Sequence, residues 1–179
     1  MLITISGLHG TGKSTIGKLL AEKLDLDYYS TGDAFRSLAS EKHMSLEEFS
    51  KYVEKNPQID KELDQKILEI ASEKNDLIID SLLSGYLLKD NADYTILLEA
   101  PLEIRIRRMM DRDDENYQKK LKETKLREMS EISRFKELYG IDIANEQLKK
   151  EIFDIIINTK DLSIEQVFNN IIRELQKRN

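Results

Sequence analysis

The sequence predicts an α/β fold in which a five-stranded parallel sheet is flanked by helices on both faces. Three observations lead there. Short apolar runs without polar alternation recur along the chain, as strands buried on both faces require. Segments with apolar residues at helical spacing separate them. Immediately after the first apolar run, Gly7-Leu8-His9-Gly10-Thr11-Gly12-Lys13-Ser14 reads G-x-x-x-x-G-K-[ST] without a mismatch. At 179 residues one domain with one substantial core is expected, with room for a mobile insertion.

Taken in order, Leu2-Ile3-Thr4-Ile5-Ser6 is the first strand. Residues 13 to about 25 form the first helix, because Ile16, Leu19, Leu20 and Leu24 recur on one face. Tyr28-Tyr29-Ser30 is a short second strand, closed by Thr31-Gly32-Asp33. Three helical segments follow: about 33 to 43; 45 to 55, opened by the capping box Ser45-x-x-Glu48; and 57 to 74, with Asn56 as cap and Pro57 in the first turn. Leu77-Ile78-Ile79-Asp80 is the third strand and Thr95-Ile96-Leu97-Leu98 the fourth. Ala100-Pro101-Leu102-Glu103 starts a long arginine-rich helix. Ile155-Ile156-Ile157 is the fifth strand, and Ser163-x-x-Gln166 caps the last helix. The segment from Asp111 to about Lys125 is highly charged with few apolar residues, so weak packing and mobility are expected there.

Composition narrows the chemistry. A net charge of −6 and a pI near 5.2 argue against a nucleic-acid binder, which needs a long-range basic field. The absence of cysteine excludes disulfides, thiolate catalysis and cysteine-ligated zinc, so any metal must be held by oxygen. No apolar run is long enough to span a bilayer, and Met1-Leu2-Ile3 leads into the strand without a basic leader, so a cytoplasmic protein with no membrane partner is expected. Lysines outnumber arginines 19 to 9, yet Arg105, Arg107, Arg108, Arg112, Arg127 and Arg134 fall within 30 residues. Guanidinium forks hold phosphate oxygens bidentately, so local enrichment in a lysine-preferring chain points to phosphate, the alternative being a helix face of Glu/Arg ion pairs.

The glycine-rich loop supplies the mechanism. Glycines let successive backbone N–H groups curl toward one point, where the N-terminus of the next helix adds its partial positive charge. Gly7, Leu8, His9, Gly10, Thr11, Gly12, Lys13, Ser14 and Thr15 are therefore the expected triphosphate-binding residues, with Lys13 reaching the outer phosphates and Ser14 placed to ligate Mg²⁺. Asp80 ends an apolar strand on the same sheet edge and can hold Mg²⁺ or one of its waters, or else serves as a turn aspartate. Asp33 and Arg36, three residues apart after strand two, suit a second phosphate-bearing ligand, Arg36 taking the phosphate and Asp33 orienting a polar group; a capping salt bridge is the alternative. Neither His9 nor His43 is expected to be catalytic or a metal ligand.

With these residues assembled, the chain resembles the nucleoside monophosphate kinases, most closely the archaeal type of cytidylate kinase. The resemblance is carried by Ile5-Ser6-Gly7-x-x-Gly10-x-Gly12-Lys13-Ser14, Ser30-Thr31-Gly32-Asp33-Ala34-Phe35-Arg36, Ala100-Pro101-Leu102-Glu103-x-Arg105 and Tyr139-Gly140-Ile141-Asp142. It implies a P-loop kinase fold with a monophosphate-binding region at about 31–75 and a mobile lid at about 111–134. It further implies ATP and Mg²⁺ as co-substrate and metal, and transfer of a phosphoryl group to CMP or dCMP. Thr31, Asp33 and Arg36 would bind the acceptor. Arg108 and Arg112 look like the pair that borders the ATP base and then its phosphates, and Arg127 and Arg134 match catalytic lid arginines; Arg107 matches none. Many relatives follow the third strand with an acidic residue, Gly and Arg, whereas this chain has Asp80-Ser81-Leu82, so that acceptor contact is missing or supplied elsewhere. The partners expected are small-molecule nucleotides, with the chain acting as a monomer. AMP or UMP as acceptor and a partner-dependent ATPase are the alternative readings.

Overall fold

The structure is a computed structural model and describes residues 1–178. Five parallel strands, β1 (Leu2–Ser6), β2 (Asp27–Ser30), β3 (Leu77–Asp80), β4 (Tyr94–Glu99) and β5 (Ile155–Asn158), lie in the order β2-β3-β1-β4-β5. The expected sheet is thus present. Its order places β1 between neighbours whose crossovers leave in opposite directions, and ligands of such sheets bind at the carboxyl edge of that switch point. Register there is tight: Asp80 stands opposite Ile5 on one side and Ser30 on the other.

Side chains alternate across the sheet and both sets are buried. Ile3, Ile5, Ile78, Ile96 and Leu98 share a core cluster with Leu20 of α1 (Lys13–Leu24) and with Ile171 and Leu175 of α9 (Ile164–Arg178). Leu2, Leu77 and Ile79 point the other way, toward Ile67 of α4 (Gln58–Glu73). A separate cluster of Phe35, Ala39, Phe49, Val53 and Leu63 holds α2 (Thr31–Glu41), α3 (Leu46–Glu54) and α4 together beside the sheet edge. The helical region between β2 and β3 therefore has a core of its own.

Several boundaries differ from the sequence reading for identifiable reasons. Helix α2 begins at Thr31 rather than Asp33, because the Ser30 hydroxyl accepts the Asp33 N–H at 3.3 Å and caps it. Pro57, not Asn56, occupies the cap position of α4, while the capping box of Ser45 and Glu48 is present as expected. The arginine-rich helix is two helices, α6 (Leu102–Asp113) and α7 (Tyr117–Tyr139), broken where Asp114 takes a left-handed conformation and Asn116 caps the second. Two short helices, α5 (Ser84–Leu87) and α8 (Glu146–Ile152), carry no periodicity long enough to read. The 111–125 segment is also better anchored than its charge predicts. Lys120 is buried and ion-paired with Asp113, Glu115 and Glu123 at 2.9, 2.5 and 3.1 Å, so polar side chains do the packing.

The loop after β1 is fixed by close backbone approaches. Gly7 and Gly10 adopt φ of 143° and 78°, and a Cβ on either would lie 2.3 Å from the Leu98 carbonyl oxygen or 2.6 Å from that of Arg105. Gly7→Ala should therefore lower unfolding stability by about 3 kcal/mol, combining left-handed strain with a backbone overlap that cannot relax. Urea denaturation measures this; a loss near zero would contradict the packing described.

Candidate active site

At the carboxyl edge of β1 the loop wraps toward the N-terminus of α1, whose cap Gly12 has φ of 100°. Lys13 Nζ donates to the Leu8 carbonyl at 3.0 Å, and Thr11 Oγ1 donates to the same oxygen at 2.9 Å. Burial pulls the Lys13 ammonium below its ordinary pKa, with Asp80 opposing that shift. Ser14 Oγ donates to Asp80 Oδ2 at 2.6 Å, and Tyr28 OH donates to the same oxygen at 2.8 Å. Burial, then the Asp80 charge, raises the Tyr28 phenol far above neutral pH, so it remains a donor. The two residues expected to hold a metal are thus in contact, on an all-oxygen site.

Two clefts open on either side of this loop and share Gly10, Lys13, Ser14, Met109 and Arg112. The first runs from His9, Lys13 and Asp80 past Thr31 and Arg36 to Phe35, Leu63, Asp60, Asp64 and Phe135. The second is bounded by Thr11, Gly12, Thr15, Arg108, Thr159 and Ile164. Gly7 and Leu8 face neither cleft and instead line a recess behind the loop, beside Leu97 and Leu98. Asp33 and Arg134 also stand outside both cleft walls.

Arg36, Arg108, Arg112, Arg127 and Arg134, the arginines that the resemblance places at phosphate, all have partners already. Arg36 donates to Asp33 Oδ1 at 2.5 Å on an exposed surface. Arg108 is fixed to Thr159 through both its hydroxyl, at 2.8 Å, and its carbonyl, at 2.6 Å. Arg112 pairs with Asp113, whose carboxyl that hydrogen bond holds down at about 2. Arg127 donates to Glu131 Oε1 at 2.9 Å and lies over the Phe35 ring, 4.9 Å from its centroid. Arg134 is buried, donating to Asp60 at 2.5 Å and to Ser130. The glutamate at the centre of this array joins the loop to α7. Glu131 Oε2 sits 2.6 Å from His9 Nε2; burial keeps the imidazole below its usual pKa, so its N–H is the donor. Burial opposes the Glu131 charge as well, but the His9 and Arg127 contacts hold the carboxyl below the ordinary range.

Sequence reasoning overlooked Tyr28, Asp60, Asp64, Glu131 and Thr159. Glu131 had a signal, since it lies four residues after Arg127 on a helix. Asp60 and Asp64 had one too: they share the buried face of α4 with Leu63 and Ile67, an unusual place for two carboxylates. Tyr28 and Thr159 become site residues only through sheet register.

The fold and the loop define a nucleotide-binding protein of the P-loop type. A family model described as an AAA domain matches residues 3–136. The cytidylate kinase of Aeropyrum pernix is 42% identical over 174 residues, covering 97% of this chain and 98% of its own. That of Methanococcus aeolicus is 43% identical over 178 residues, covering 98% and 97%. A shikimate kinase from Acinetobacter baumannii, solved with shikimate, superposes with a TM-score of 0.63 at 18% identity, covering 99% of this chain and 94% of its own, a likeness of fold. The chain belongs to the cytidylate kinase family, within the P-loop group of the matching model. It is a nucleoside monophosphate kinase. Among the described residues, no helix is long and apolar enough to cross a membrane.

Asp64 gives the site a pH signature. It is 7% exposed, and burial raises its carboxyl to about 6 despite the hydrogen bond from Tyr139, with Asp60 pushing the same way. A carboxyl whose folded pKa is raised stabilises the fold at low pH and loses that contribution as pH rises through the folded value. Asp64→Asn should therefore gain stability relative to the parent between pH 4 and pH 8, by about 2–3 kcal/mol. Unfolding curves of both proteins at the two pH values test this, and a pH-independent difference would contradict it.

Proposed function

We propose that this chain transfers the γ-phosphoryl group of ATP to CMP or dCMP, giving ADP and the diphosphate. The observation that carries the reading is the pair of clefts that share Lys13 and Arg112, because a kinase must bring two phosphate chains to one point whereas an ATPase needs one nucleotide and a water. ATP is assigned to the cleft bounded by Thr15 and Arg108, and the acceptor to the cleft bounded by Thr31 and Arg36. The names of the relatives favour cytosine over the AMP, UMP and partner-dependent ATPase alternatives.

Little covalent chemistry falls to the protein. The acceptor phosphate already carries a nucleophilic oxygen, so alignment and charge stabilisation are the work, and no general base is required. The loop N–H groups and Lys13 hold the donor phosphates; Lys13 exchanges its bond to the Leu8 carbonyl for a phosphate oxygen. Arg36 exchanges Asp33 for the acceptor phosphate, keeping Asp33 beside it to orient the guanidinium. Arg127 and Arg112 approach the transferred group from α7 and α6, and Arg134 holds α7 on α4 through Asp60. Ser14 Oγ and Asp80 fit Mg²⁺, whose hard oxygen-ligand chemistry would neutralise charge on the outer phosphates. Closure of the 111–134 segment over both nucleotides would exclude water, the competing acceptor.

Assaying all nucleoside monophosphates with ATP, with ADP and diphosphate read together, tests the reading: CMP should give the highest kcat/KM, and ADP without diphosphate would place the chain among ATPases. Lys13→Ala should fold yet lose transferase activity by about three orders of magnitude, as a charged contact to the migrating group is removed in a dry site. Arg36→Ala should raise the KM for the monophosphate tenfold or more, on the order of one charge-assisted hydrogen bond, with the KM for ATP little changed. Loss confined to ATP binding would reverse the assignment of the two clefts.

A further inference from the structure

We propose that Asp64 reads the acceptor base, accepting the exocyclic amine of cytosine and repelling the O4 oxygen of uracil. The inference rests on the kinase reading above and names the residue that sets its specificity.

The argument is one of unmet hydrogen-bonding capacity. A carboxylate can accept about four hydrogen bonds. Asp60 and Asp64 stand one helical turn apart on α4, both buried and both lining the first cleft, but they are treated differently. Asp60 receives the Arg134 guanidinium at 2.5 Å, with a second, longer contact to its other oxygen at 3.5 Å. Asp64 receives the Tyr139 hydroxyl at 2.8 Å on Oδ2, its one hydrogen-bond donor among the described residues. The charged and titratable groups that face it are Asp60 on α4, Tyr139 on α7 and Tyr29 on β2, none of them a cation. A buried carboxylate in that position is costly unless a ligand brings donors to it. A second polar atom in the same cleft is also unsatisfied: Thr31 Oγ1 is buried with no hydrogen-bond partner among the described residues.

The surroundings match a base in shape. Phe35, Leu63, Leu82 and Phe135 line this cleft and present apolar walls to a flat ring. Leu82 belongs to that wall and contributes apolar surface. With the acceptor phosphate at Arg36, the base occupies the end of the cleft walled by Asp64. Cytosine carries an N–H₂ donor at the exocyclic position where uracil carries a carbonyl acceptor, so a carboxylate fixed by Tyr139 discriminates by polarity as well as fit.

The test compares kcat/KM for CMP and UMP at saturating ATP in the parent, Asp64→Asn and Tyr139→Phe, with thermal unfolding to establish that each is folded. The expected result is a CMP preference in the parent that falls about 100-fold in Asp64→Asn, whose amide can turn an N–H₂ toward O4. The change should appear as a higher KM for CMP and a lower KM for UMP, with the KM for ATP unmoved. Tyr139→Phe, which removes a single hydroxyl, should reduce the preference about tenfold. An unchanged CMP/UMP ratio in both folded variants would overturn the assignment of Asp64 while leaving the kinase reading intact. A parent protein that phosphorylates neither nucleotide would remove the pyrimidine acceptor of the proposed function, and this inference with it.

Discussion

A chain with net charge −6 that serves highly charged anions must gather positive charge at one place without letting its cations drive each other apart. The structure meets this constraint by giving Arg105, Arg108, Arg112, Arg127 and Arg134 acidic, hydroxyl or carbonyl partners. On α7, Arg127 and Glu131 are paired and Arg134 reaches Asp60; Arg105 on α6 is held by Glu128 at 2.5 Å and by the His9 carbonyl at 2.8 Å. Removing one member of such a buried pair leaves an uncompensated charge, so these contacts fix where the two helices sit. The same contacts tie the helices to the loop, because both His9 groups involved, imidazole and carbonyl, belong to it.

This arrangement changes the physical account of the arginine-rich segment. Read from sequence alone, the highly charged stretch from Asp111 to about Lys125 is weakly packed and mobile. With ion pairs such as those of Lys120 the stretch is anchored, and in the proposed reaction a phosphate would act by exchange, taking Arg36 from Asp33 and Arg127 from Glu131. Exchange needs smaller motions than the closing of a disordered segment. It also favours selective engagement: exposed pairs such as Arg36–Asp33 are held by little net energy, whereas the buried Arg134–Asp60 pair is costly to break.

How much of this was legible divides along the same physical line. The loop, the sheet and the helices on its faces follow from patterns within short windows: a glycine motif, buried runs, and periodicity. Asp80 beside Ser14 was legible as well, because both stand at strand or loop ends on one edge. The partners were not, since Arg134 meets Asp60 across 74 positions and His9 meets Glu131 across 122, separations that only the packing of α7 over α4 and the loop can close. The α6–α7 break was missed for a local reason: Asp114 takes a left-handed conformation that a glycine announces in sequence and an aspartate signals only weakly.

The acidic face of α4 is where stability and specificity pull apart. A helix packed against the sheet by Ile67 and against α2 and α3 by Leu63 would be more stable with an apolar residue at 64, where Asp64 is held in a site that disfavours its charge. Unlike the buried Asp60, which is paired with Arg134, Asp64 has no cation beside it, and departures of that kind concentrate where a ligand is recognised. Its partner Tyr139 comes from the end of α7, so the carboxylate is oriented only when α7 lies against α4. The Arg134–Asp60 pair holds those two helices together one turn away. Base recognition and the placement of Arg127 thereby depend on one helix being seated, and a cleft that reads its acceptor through α7 would complete the phosphate-facing side of the site by the same motion.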